Sequence, residues 1–102
     1  MSVYLHVTLE LTGAGTARFV EVMGEAVPIL ESHGWKLFAA FLQRTGRLNT
    51  AIDIWELEDF DHFDRGIQAL VGHPRFAVIK QGLDEAVQKE TVVFATKAPF
   101  AH

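Results

Sequence analysis

The sequence predicts an α+β fold in the order βαββααβ, with the strands in one antiparallel sheet and the helices packed on one side of it. Three observations predict this. Residues 3–11, VYLHVTLEL, alternate strictly between apolar and polar side chains. Residues 16–32 instead repeat apolar side chains at helical spacing. Two further strand-like segments, WKLFAAFLQRT and TAIDIWELE, flank the turn GRLN and so form a hairpin.

Each element has its own signature. In the first strand Val3, Leu5, Val7, Leu9 and Leu11 share one side, and Tyr4, His6, Thr8 and Glu10 the other. The glycines of TGAGT break that pattern, and Thr16 is placed to cap the first helix. Phe19, Val20, Met23, Val27 and Leu30 form the core face of that helix, and Arg18, Glu21, Glu25 and Ser32 the outer one. Pro28 removes a hydrogen bond inside it and presses on the carbonyl of Gly24, which predicts a kink on the outer face. His33 and Gly34 end the helix, a cation-capable side chain near the negative end of the dipole and a glycine free to take positive φ.

In the second strand Trp35, Leu37, Ala39 and Phe41 are expected on one face and Phe38, Ala40 and Leu42 on the other, so both faces are apolar. In the third, Ile52 and Ile54 oppose Ala51, Asp53, Trp55 and Leu57. Asp59 caps a second helix with Phe60, Phe63, Ile67 and Leu70 inward, and Gly72 closes it. Pro74 opens a third helix with Phe76, Ile79 and Leu83 inward. ETVVFAT is the last strand, and the tail KAPFAH follows.

The totals bound the function. All 102 residues form one domain, long enough to remove roughly two thirds of the unfolded surface from water. A net charge of −4, with nine basic residues scattered along the chain, argues against a nucleic acid partner. The longest apolar run, Leu37 to Leu42, is far too short to span a bilayer, and no targeting pattern precedes it. Cysteine is absent, which excludes disulfides and thiolate metal sites and fits a cytoplasmic protein. The histidines and acidic residues show no metal-ligand spacing, and TGAGT lacks the third glycine or lysine of a nucleotide loop, so neither metal nor cofactor is expected. In DFDHFD, residues Asp61, His62 and Asp64 are read as the solvated face of a helix.

This element order folds most economically as a ferredoxin-like sheet with right-handed crossovers. One face of the sheet then lacks cover. Because the second and fourth strands are apolar on both faces and Tyr4 adds to the bare one, a single copy would expose an unusually large apolar patch. A second identical sheet is the simplest cover, giving a homodimeric α+β barrel.

ESHGWKLFAAF, LNTAIDIWELEDFDHFDR, HPRFAVI and the closing APF together resemble the NIPSNAP family of the dimeric α+β barrel superfamily. The resemblance implies that fold and dimerisation, and no settled activity. Members often carry histidine two residues before the tryptophan of the third strand, where this chain has Asp53, and their first-strand arginine has no match here. His73 stands where an acidic cap is common.

The chemical expectation concerns the barrel interior. If the aliphatic sides of strands one and three face the helices, Tyr4, His6, Asp53 and Trp55 meet on the covered face. His6 and Asp53 would then pair as a catalytic base, while Tyr4, Trp35 and Trp55 offered surfaces for a small apolar or aromatic compound. Such a site fits a cofactor-free monooxygenase or isomerase. The alternative is a non-catalytic homodimeric scaffold in which the polar pair is only structural.

Overall fold

Strict alternation gives residues 3–11 one apolar and one polar face, as a strand covered by helices on one side requires. The computed structural model, which describes residues 2–101, runs β1 (Val3–Leu11), α1 (Thr16–Ser32), β2 (Lys36–Leu42), β3 (Thr50–Leu57), α2 (Phe60–Val71), α3 (Phe76–Ala86) and β4 (Val87–Ala95). Met1, and His102 at the end of the predicted tail, lie outside the described residues. The sheet order is β2-β3-β1-β4 and every pairing is antiparallel, as a ferredoxin-like fold requires. Helix α3 passes straight into β4, which begins three residues earlier than the alternation of ETVVFAT predicts.

The Cα extents, 39 × 37 × 17 Å, describe a slab one helix layer and one sheet layer thick. The core lies between those layers. Leu5, Trp55, Leu57, Ala26, Leu30 and Ile79 are buried at its centre, where removing each large side chain from water contributes about 1.5–3 kcal/mol.

Register decides which face of each strand enters this core. Leu5 lies opposite Trp55 and Val7 opposite Asp53, so the aliphatic row of β1 shares the helix side with Ala51, Asp53, Trp55 and Leu57. Ile52 and Ile54 therefore face away from the helices, the reverse of the expected orientation. The physical reason is the payload: Trp55 and Leu57 remove more apolar area beneath the helices than two isoleucines would, and a strand can turn over only as a whole.

A second difference lies in β2. The register shifts between Leu37 and Ala39, so Leu37, Ala40 and Leu42 pair on the helix side, while Ala39 and Phe41 pair on the open side. A bulge at Phe38 interrupts the two-residue period of the strand. Trp35 precedes β2 and drops into the core instead of continuing the strand.

Helix ends follow local chemistry with two exceptions. The Asp59 carboxylate accepts the His62 backbone N–H at 2.8 Å and caps α2, and Gly34 takes φ of 90° just after α1. Thr16 makes no cap: Gly15 holds that position with no side-chain hydrogen bond. Pro74 lies in the turn before α3, which begins at Phe76.

Candidate functional site

Helix α1 crosses the β2–β3 half of the sheet and leaves space beneath it. The wall on the helix side comes from Phe19, Val20, Met23, Gly24, Val27 and Pro28, and the floor is mainly Leu37, Ala40, Ala51 and Asp53. The cavity holds about 410 Å³, within the range of small-molecule sites. Pro28 is exposed, as expected, and together with Gly24 and with Val20, which was expected in the core, it forms the exposed rim of this cavity.

Asp53 is the one ionisable residue in that lining. It is 6% exposed, with Val7 beside it on β1 and Ala40 beside it on β2. Burial, with a further push from the Glu90 charge, raises its carboxyl from an ordinary 3.8 to about 6. Both influences disfavour the anion, and no cation among the described residues offsets them. An apolar wall therefore carries a carboxylate that is costly to ionise, which is a state suited to accepting a proton near neutrality.

A family model described as NIPSNAP matches residues 4–102. The chain belongs to the NIPSNAP family. An uncharacterized NIPSNAP domain protein from Burkholderia xenovorans superposes with a TM-score of 0.81 at 19% identity, over 100% of this chain and 99% of that one. A NIPSNAP family protein from Agrobacterium tumefaciens gives 0.86 at 14% identity, over 99% and 97%. SnoaB, a cofactor-independent oxygenase from Streptomyces nogalater, gives 0.65 at 17% identity, over 98% of each chain. Identities this low carry the fold alone. No curated protein matches the chain. NIPSNAP membership names no reaction, so the chemistry rests on the cavity.

The predicted site of this NIPSNAP chain is divided by its own sheet. His6 lies opposite Ile54 on one side and Val93 on the other, so it stands on the open face, whereas Asp53 stands on the helix face. The expected imidazole–carboxylate pair does not form, because His6 opposes Ile54, one position along the strand from Asp53, and successive residues of a strand point to opposite faces. Tyr4 is also on the open face, where its ring meets Phe38 edge-on at 5.8 Å.

Neither tryptophan lines the cavity. Trp35 and Trp55 are 3% and 2% exposed, cross at 5.3 Å and 70°, and belong to the core that supports it. Phe63 stacks on Trp35 at 5.7 Å, and the indole N–H of Trp35 donates to the His62 carbonyl at 3.0 Å. Their proposed contact with a ligand is replaced by packing.

His62 corrects the reading of DFDHFD. Its ring is buried between the end of α1 and the start of α2. Nδ1 accepts the backbone N–H of Glu58 at 3.0 Å, which leaves Nε2 as the protonated nitrogen that donates to the His33 carbonyl at 2.8 Å. Phe60 takes the exposed place instead, edge-on to Phe94 at 5.5 Å. The sequence signal was available: His62, Gly66 and Leu70 recur every four residues, a stripe that a glycine and a histidine disguise.

None of the helices among the described residues is long and apolar enough to cross a membrane.

Proposed function

We propose that this NIPSNAP protein acts as a homodimer that binds a small apolar or aromatic compound beneath α1, with Asp53 as the acid–base group of a cofactor-free reaction. The observation that carries this is an unpaired, buried carboxylate in the wall of an apolar cavity of about 410 Å³. Burying such a group lowers stability, and a chain selected for stability alone would place an apolar residue there. A carboxylate titrating near 6 is also a stronger base than an ordinary one.

The chemistry needs few parts. Asp53 takes a proton from an activated C–H or O–H of the bound compound, leaving an enolate-type anion. Returning that proton to a different carbon completes an isomerisation. Alternatively the anion passes an electron to dioxygen, the two radicals combine in a C–O bond, the resulting peroxide takes back the proton held by Asp53, and loss of water from that hydroperoxide leaves a carbonyl. SnoaB, on the same fold, is a cofactor-independent oxygenase, which favours this class.

The dimer reading rests on the open face. Phe38 and Phe41 are 62% and 58% exposed there, alongside Ile52, Ile54 and Val93. At one end of the face Lys36 opposes Glu56, and at the other Glu10 opposes Lys89. An apolar centre between paired opposite charges is self-complementary under a two-fold axis, as an isologous interface must be. The same face favours the second reading, a scaffold whose sheet serves assembly alone.

Thermal-shift screening of aromatic compounds on the wild type and Asp53→Asn separates the two. The catalytic reading expects compounds that stabilise the wild type, and turnover lost in Asp53→Asn. Failure of every compound to stabilise the wild type sinks it and leaves the scaffold.

A further inference from the structure

The cavity beneath α1 opens at the edge of the sheet. One lip of its mouth is the exposed rim of Val20, Gly24 and Pro28; the other is Ala40, Phe41 and Leu42 of β2, which are exposed as well. β2 is an edge strand, so no further strand covers this second lip. Phe41 belongs to two surfaces at once. It bounds the cavity, and its register opposite Ile52 places it on the open face of the sheet. The site and the open face therefore meet at one aromatic residue, 58% exposed.

Size and charge point to what covers that face. The chain exposes 6434 Å², whereas a compact monomer of its mass exposes about 5,800 Å². The excess, roughly 600 Å², approaches the area of about 800 Å² that each partner buries in a standard interface. Lys36 with Glu56 and Glu10 with Lys89 set both signs of charge at the ends of the face, where an anionic membrane would call for basic residues alone. A second copy meets both requirements, since a two-fold axis sets the face against itself.

We propose that the homodimer interface supplies the missing side of the cavity mouth at Phe41, so that dimerisation and binding of the apolar compound are linked, each tightening the other. This rests on the binding and dimer readings above and adds a coupling that neither requires. In a lone chain nothing packs on the open side of Phe41, and an entering ligand has to order the ring; in the dimer the partner has already ordered it. Holding one such side chain in advance is worth up to about tenfold in affinity. Linkage is reciprocal, so the factor by which the dimer prefers ligand is also the factor, per site, by which ligand prefers the dimer. Two sites per dimer square it.

The test uses 2-naphthol as the probe and Val93→Glu as the interface variant. Val93 lies on the open face of β4, the opposite edge strand, and is not part of the cavity lining, so its substitution reaches the site only through the partner. In fluorescence titrations at pH 7.5 the wild type should bind 2-naphthol about tenfold more tightly above its dimer dissociation constant than below it. Val93→Glu should show the weaker value at every protein concentration. By sedimentation, saturating 2-naphthol should tighten the wild-type dimer about a hundredfold. The dilution series needs no variant, so it decides the matter even where Val93→Glu folds poorly. Equal affinity of monomer and dimer, with an unchanged dimer constant, overturns the linkage and leaves binding and dimer both standing. A Val93→Glu chain that remains dimeric overturns it as well, because the interface then lies elsewhere. A wild type that stays monomeric removes the dimer reading and the linkage together, and a wild-type dimer that binds no 2-naphthol removes the linkage along with binding of an aromatic compound of this size.

Discussion

His6 and Asp53 stand on opposite faces of one sheet, His6 between Ile54 and Val93 and Asp53 beside Val7 on the helix side. They share no partner, so the free energies of their substitutions should add. Asp53→Asn and His6→Gln, made singly and together, are expected to show a coupling within about 0.5 kcal/mol in urea unfolding. His6→Gln should also leave ligand binding beneath α1 unchanged. A coupling above about 1 kcal/mol would show that the two residues communicate after all.

The buried carboxylate predicts a pH dependence of definite sign. The native state holds the Asp53 proton up to about pH 6, whereas the unfolded chain releases it near 3.8, so the native state binds more protons in between. Stability from this group is therefore fully present below about pH 4 and is lost as pH rises through about 6, a span of about 3 kcal/mol. Asparagine has no proton to lose. Asp53→Asn should raise Tm at pH 7.5 and give no such gain at pH 4; equal effects at the two pH values contradict the assignment.

Gly66 lies against the Trp35 indole so closely that an added Cβ would overlap Nε1, Cε2 and Cζ2 of the ring. The indole cannot retreat, being held by the His62 carbonyl, Trp55 and Phe63. Gly66→Ala should destabilise by about 2 kcal/mol despite the better helix propensity of alanine. Gly24→Ala meets open space and should instead stabilise by about 0.5–1 kcal/mol. Urea titration of both variants checks the pair, and a stabilised Gly66→Ala would refute the packing account.

The open face predicts an oligomeric state. Ile54→Glu places a charge at the centre of the proposed two-fold interface without touching the helix-side core. The wild type should sediment as a dimer and the variant as a folded monomer at micromolar concentration, because burying two unpaired carboxylates costs several kcal/mol. A wild type that remains monomeric at high concentration removes the barrel.

Local periodicity in the sequence was sufficient for the elements themselves. The alternation of 3–11, the Asp59 cap and the glycine at position 34 each depend on neighbours within a few residues, and all appear in the structure. Helix α1 appears too, but its buried stripe is Phe19, Val22, Ala26 and Leu30, with Val20 exposed. The order of elements then led to the antiparallel sheet and its connectivity. The apolar character of both sheet faces was legible in the same way.

Tertiary structure alone decided the site. A two-residue period looks identical from either face, so whether Asp53 joined His6 or the α1 cavity depended on its register with β1, a pairing between residues more than forty positions apart. The bulge at Phe38, the descent of Trp35 into the core and the burial of His62 likewise came from packing between distant segments. Sequence therefore determined which residues form strands and helices, since that preference is local; the fold decided which of them meet, since contact across the sheet is set by long-range register and by which face removes more apolar surface from water.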